Sequence, residues 1–185
     1  DRKTDTWAHN EFTFHEIKEV MTLQSVELIE TGPARAVIRT KHVTGKSVLT
    51  QDFILGEKEK TLRVKCKAIW QENFTMLKMS FPVDGENAYN MYEIPGGAIR
   101  RPCNGHEEPA GKFGGILFEN GGKKGLYIVN DSKYSYDCPG SDMRITLIRN
   151  VIFADHYSHR PKADFNFTDE GLQRFEYGVY VIVRQ

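Results

Sequence analysis

Nothing in this sequence of 185 residues runs apolar for eighteen consecutive positions, so no segment is expected to span a membrane. An excess of one charge is missing too. Lys and Arg number 25 against 25 Asp and Glu, and the isoelectric point lies near 7.2. Such a chain has no field to draw it to a phosphate backbone or an anionic lipid surface, so neither nucleic acid nor membrane is expected as a partner. Cysteine is scarce: Cys66, Cys103 and Cys138 are odd in number and widely spaced, without a CxxC pair. That usage argues against a zinc site or a disulfide framework and leans to a reducing, cytoplasmic compartment. Three glycosylation sequons, at Asn73, Asn130 and Asn166, lean the other way but are only permissive surface signals. Internal repeats and low-complexity stretches are absent. Residue 1 is Asp, and no charged-then-apolar leader precedes Trp7, so the expectation is a piece of something longer or a processed chain.

What is present is ordinary globular material: 39% apolar and 27% charged residues, enough for one domain over 1–185 with a real core. Eleven Phe and eight Tyr, with abundant glycine and few long helical patterns, favour an all-β protein. Period-two alternation supports this. Apolar and basic residues alternate without error over 62–68, a strand with one wet face. The same alternation marks 77–81, 143–147 and 175–183, and weaker strand patterns cover 26–30, 34–41, 48–55, 88–93, 115–118 and 126–130. Hairpin turns are expected at Gly32-Pro33, Gly45-Lys46 and Gly56-Glu57-Lys58. Phe14, Ile17, Val20 and Met21 match helical spacing, so a short helix or an irregular segment is expected there. About ten strands without βαβ alternation make a large antiparallel β-sandwich the expected fold.

Two regions break the rhythm. Residues 94–125 are rich in Gly and Pro and carry Arg100, Arg101, His106, Glu107 and Glu108, which reads as a long functional loop. Residues 153–168 carry Asp155, His156, His159 and Arg160. Glu107 and Glu108 are adjacent and so point to opposite sides of an extended chain, poor geometry for an acid and nucleophile pair. They are expected to support Arg100 or Arg101 by bidentate pairing. Asp155, His156 and His159, with His106 or His9, offer metal-ligand types, but a zinc needs three or four that converge, and loop histidines are the simpler reading. The run from Asp131 through Tyr134 and Tyr136 to Asp137 mixes hydroxyls with aromatic faces, as a sugar rim does. The plainer alternative is a turn whose tyrosines pack on the core while Asp131 makes its own turn bond. Trp7 and Trp70 read as core or interface anchors.

Several short motifs recur in a fixed order. Asp5-Thr6-Trp7-Ala8-His9 is followed by Gly32-Pro33-Ala34-Arg35-Ala36, then Trp70, Leu77-Lys78 and Phe81-Pro82. Glu93-Ile94-Pro95-Gly96-Gly97-Ala98-Ile99, Arg101-Pro102 and Glu107-Glu108-Pro109-Ala110 come next. Asn130-Asp131-Ser132-Lys133-Tyr134, Tyr136-Asp137, residues 144–149 (RITLIR), and Asp169, Gly171, Phe175 and Tyr177 close the series. In that order the chain resembles the C-terminal β region of glycoside hydrolase family 38 α-mannosidases. The resemblance implies a supersandwich of the galactose-mutarotase-like type. It also implies hydrolysis of terminal α-mannosyl residues with retention, acting on α-mannosides or mannose-containing glycans. Retention by a covalent route needs two carboxyl groups about 5–5.5 Å apart. In the family these, and a zinc ion, belong to an N-terminal barrel that the chain does not contain. No catalytic residue or metal ligand is therefore assigned here, no cofactor is expected in this chain, and its partners would be the N-terminal domains of the same polypeptide. Arg100, Arg101, His106, Glu107, Glu108, Asp131, Tyr134 and Tyr136 are candidates for the substrate rim. The sequence departs from the family at Lys112-Phe113-Gly114, where Trp is common, and at Gln173, where His is common; both bear on substrate preference rather than fold. The competing reading is a free-standing sugar-binding or aldose-epimerase-like module using His106 and a Glu as acid and base.

Overall fold

The computed structural model describes residue 8 and residues 11–14, 16–119, 124–153 and 166–183. Alternation becomes architecture first in β4 (Thr61–Trp70), where Val64, Cys66, Ala68 and Trp70 are buried while Lys65, Lys67 and Ile69 face outward. β13 (Gly171–Val183) lies antiparallel along it, setting Phe175 beside Cys66 and Tyr177 beside Val64. On the other edge of β4 come β3 (Ser47–Gly56), β2 (Arg35–Thr44) and β1 (Thr22–Thr31), joined by the three expected hairpin turns. At Gly45 the backbone has φ +48°, and the Glu72 carboxylate accepts a bond from Lys46 N at 2.7 Å to close that turn.

Beyond β13 the sheet continues through β10 (Lys124–Asn130), β9 (Phe113–Phe118), β6 (Ala88–Ile94) and β7 (Gly97–Pro102), giving nine antiparallel strands. A second sheet of four antiparallel strands runs β5 (Thr75–Pro82), β12 (Asp142–Asn150), β11 (Ser135–Asp137) and β8 (Glu108–Pro109). The sheets meet face to face over Phe81 and Tyr177, with ring centroids 6.1 Å apart, and over Tyr92 and Tyr136, at 5.8 Å. This is the expected all-β sandwich. Interdigitated side chains at near-crystalline density hold such a core together.

One expectation is corrected, and one that left two alternatives is resolved in favour of the irregular segment. Residues 94–125 are not one long loop, because β7, β8 and β9 run through them. Pro95-Gly96 is a tight turn between β6 and β7, with Gly96 at φ +81°, as a type II turn requires. Pro102 and Pro109 close edge strands, where a missing N–H costs no ladder bond. Gly114 is a core position: a Cβ there would stand 3.0 Å from Met143 Cε and from the Tyr136 ring. No helix forms over 14–21 among the described residues. They run irregularly into β1, with Ile17 and Val20 exposed and Met21 against the core.

The smaller sheet covers only part of the larger. Directly paired residues share a face, so Val64, Phe53, Ile38 and Leu28 form one row across β4, β3, β2 and β1 on the core side. Exposure climbs along it from 0% at Val64 to 43% at Ile38 and 64% at Leu28. Leu23, Val26 and Leu55 lie exposed on that same face. The core face of β1–β3 therefore continues as an apolar surface past the shelter of the second sheet.

Candidate functional site

The polar centre of the molecule sits on the far face of the four-stranded sheet. Along β5, β12 and β11 the core takes Leu77, Met143, Ile145 and Tyr136, so alternation turns Lys78, Arg144, Thr146, Ser135 and Asp137 the other way. The chain just before β8 brings Glu107 onto the same face. Its carboxylate accepts from Lys78 Nζ, from Ser135 Oγ at 2.6 Å and from Thr146 Oγ1. Lys78 also stands 3.1 Å from Asp137, which Arg144 grips with both Nε, at 2.8 Å, and Nη2. Phe14 lies by the Lys78 ammonium at 5.9 Å, and Glu107 N donates to Phe12 O at 2.8 Å, so the segment before β1 straps this face.

Lys78 and Arg144 are thus matched by Glu107 and Asp137, and Asp142 stands 4.0 Å from Arg144 at the edge of the cluster. Burial by itself would raise the Glu107 pKa; the Lys78 charge, with the bonds from Lys78, Ser135 and Thr146, outweighs it and holds the carboxyl below its ordinary value. Glu107 is therefore an ionised anchor at neutral pH, not a proton donor. Glu108 points away, as adjacent strand residues must, and pairs with Arg101, whose guanidinium also donates to Pro109 O at 3.3 Å and lies 5.8 Å from the Tyr92 ring. The expected split between the two glutamates is present, and Glu108 has an Arg101 partner through a single nitrogen, but Glu107 is held by Lys78 and not by an arginine.

The remaining rim candidates fall in separate places. Arg100 is exposed, stacks over Tyr89 at 4.0 Å and pairs with Glu119. His106 stacks on Phe12 at 5.9 Å, and its backbone N–H donates to Asn104. Tyr136 is fully buried between the sheets, bonded through its hydroxyl to Asn130 Nδ2, so its ring reaches no surface of this chain. Tyr134 is exposed and lines a small groove of about 310 Å³ with Glu93, Pro95 and Lys112. Asp131 borders a larger, shallow groove of about 530 Å³ beside Lys60, Arg63 and Glu176, and Tyr134 OH donates to Asp131 O at 3.4 Å. The turn after β10 is capped by Asn130, whose Oδ1 accepts from Ser132 N at 3.0 Å and from Lys133 N, rather than by Asp131. Asp131 accepts from Ser132 Oγ at 2.7 Å within the turn and from Glu176 N at 3.2 Å.

Lys78, Arg144 and Thr146 were not proposed as site residues by sequence reasoning, and Ser135 and Asp137 entered it only as part of the run from Asp131 to Asp137. Their signal was available: basic, acidic and hydroxyl residues on the wet faces of expected neighbouring strands. Trp7, His9, Asp155, His156 and His159 lie outside the described residues. Among the described residues no group of three or more His, Cys, Asp or Glu side chains could hold a metal, and the best-placed carboxylates, Glu107 and Asp137, are already matched by Lys78 and Arg144. The residues described here do not fit a zinc ion.

Fold and site together define a β-sandwich domain whose buried charges brace its own structure. The comparisons agree. The family described as glycosyl hydrolases family 38, C-terminal domain, matches residues 2–157, and the chain belongs to it. It is 24% identical over 190 residues to "Alpha-mannosidase G" of Dictyostelium discoideum, covering 95% of this chain and 16% of that protein. It is 28% identical over 116 residues to an "Alpha-mannosidase" of Saccharomyces cerevisiae, covering 60% of this chain and 10% of that one. A solved α-mannosidase structure from Enterococcus faecalis V583 superposes with a TM-score of 0.72 at 14% identity, over 88% of this chain and 22% of that one. A second Enterococcus faecalis structure, of a family 38 glycosyl hydrolase, gives 0.71 at 16% identity, over 88% and 23%. The likeness to these structures establishes a shared fold. The chain spans less than a quarter of each of these relatives.

Proposed function

We propose that this chain is the C-terminal β domain of a longer retaining α-mannosidase, cleaving terminal α-mannosyl residues from mannosides or mannose-containing glycans. Within that enzyme it braces the catalytic domains of the same polypeptide and lends loops to the edge of the sugar site. The observation that carries this reading is the family match over 2–157 in a chain amounting to 16% of a relative named an α-mannosidase. The apolar continuation of the large sheet over Leu23, Val26, Leu28, Ile38 and Leu55 supports it, since exposed apolar patches of this kind mark contact surfaces. On this reading the nucleophile, the acid/base and the zinc ion belong to the rest of the polypeptide.

On this reading Arg101 with Glu108, the exposed ring of Tyr134, and Arg100 face a neighbouring domain or a glycan. The alternative, a free-standing module with His106 and a Glu as acid and base, is disfavoured by Glu107 being tied to Lys78, Ser135 and Thr146, and by Glu108 being paired with Arg101. The test is direct. The isolated chain should fold and show no turnover of an aryl α-mannoside, while a polypeptide carrying the preceding domains should turn it over. Hydrolysis by the isolated chain would overturn the assignment.

A further inference from the structure

Cys103 and Cys138 are separated in sequence yet meet across an isolated antiparallel bridge between Asn104 and Pro139. Gly105 N donates to Cys138 O at 2.9 Å and Gly140 N donates to Cys103 O at 3.2 Å. This bonding sets Cys103 opposite Gly140 and Cys138 opposite Gly105, with all four on one side of the ribbon. Both directly opposed residues are glycines, so no side chain stands between the two thiols. Cys103 Sγ reaches Asn90 Oδ1 at 3.4 Å and Cys138 Sγ reaches Gly140 O at 3.7 Å. Both are free, Cys103 half-buried and Cys138 buried.

We propose that Cys103 and Cys138 form a reversible redox clasp that closes into a disulfide by exchange with glutathione disulfide. Diagonal neighbours across an antiparallel pair have Cβ atoms within roughly 7 Å, and a disulfide needs about 4 Å. Closing that gap falls to a short bridge flanked by Gly105 at φ +76° and Gly140 at φ +67°, which has conformational freedom that a regular ladder lacks.

The roles of the two sulfurs follow from exposure and proton affinity. A hydrogen bond with Cys138 holds the Cys103 thiol below its ordinary value against the opposing effect of burial, while the Cys103 contact and burial push Cys138 up. Cys103 thiolate therefore attacks one sulfur of glutathione disulfide, breaking its S–S bond and releasing one glutathione thiolate. Cys138 then gives up its proton and attacks Cys103 Sγ, expelling the second glutathione. Two protein thiols are oxidised to one disulfide while one glutathione disulfide is reduced to two glutathiones. The new bond would pin the end of β7 to the turn before β12 and so fix the loop that carries His106 and Glu107.

The test equilibrates the folded chain in glutathione buffers from fully reduced to fully oxidised, followed by acid quench, differential alkylation and peptide mapping. Cys103 and Cys138 should lose reactivity together and be recovered in one linked peptide, with Cys66 outside the link. In Cys138→Ser, which lacks the resolving thiol, the Cys103–glutathione mixed disulfide should accumulate about tenfold above the unsubstituted chain. Three results would overturn the proposal: a stable glutathione adduct on Cys103 in the unsubstituted chain, a link through Cys66, or both thiols still reactive after equilibration with glutathione disulfide alone.

Discussion

At Glu107, burial works against the charge and three bonds work for it. The bonds win, so the carboxyl titrates below its ordinary value of 4.5. A depressed carboxyl pKa stabilises the fold above the unfolded value and loses that contribution as pH falls through the folded one. Glu107→Gln keeps an acceptor for Ser135 and Thr146 but leaves Lys78 with Asp137 alone. It should cost about 3 kcal/mol at neutral pH, the usual penalty for stripping one partner from a buried pair. Urea unfolding of both proteins from pH 7 to pH 3 should show the gap narrowing only below about pH 4.5. A gap constant over that range would mean that the carboxylate charge contributes nothing. The sequence makes the opposed directions of Glu107 and Glu108 legible, because strand geometry alone sets them. It does not disclose that Lys78 is Glu107's partner, since the two are 29 positions apart and only sheet pairing brings them together.

Among the elements, β9 is the most exacting. Its glycines resemble those of a loop in composition, yet Gly114 faces the opposite sheet and Gly115 faces the neighbouring strand. A Cβ at Gly115 would stand 2.8 Å from Leu126 O and collide with the Tyr127 ring. Gly115→Ala should therefore destabilise the chain by about 1–3 kcal/mol, the range for overpacking a filled site. At Gly97, at the start of β7, a Cβ meets nothing within 4 Å, and Gly97→Ala should stay within about 0.5 kcal/mol. Denaturant midpoints at equal slope measure both, and equal losses would mean that the glycines serve turn conformation alone. The strands with one wet face were legible because polar and apolar residues alternate in them: β4, β5, β12 and β13 match the expected runs 62–68, 77–81, 143–147 and 175–183. β7 and β8 were not, and β9 was legible only as the weaker pattern at 115–118, since prolines at sheet edges and glycines under aromatic rings look like loop residues until the sheets are stacked.

For the whole molecule the informative surface is the one that the second sheet leaves uncovered. β1 is an edge strand ten residues long, with two register breaks and a row of apolar residues on its core side. A long apolar edge invites unwanted pairing unless something covers or distorts it; bulges supply the distortion, and the proposed neighbouring domains would supply the cover. Leu28→Asp separates these contributions. The residue is largely exposed in this chain, so its replacement should change the unfolding free energy of the isolated domain by no more than about 0.5 kcal/mol. In the longer polypeptide the same charge would be buried against another domain without a partner. There it should split a shared thermal transition into two and lower aryl α-mannoside turnover. Unchanged melting and turnover in the longer polypeptide would mean that this face packs against nothing and that the domain braces its neighbours through some other surface. The reading of this chain as a scaffold for chemistry carried elsewhere therefore stands or falls on a leucine that its own domain does not need.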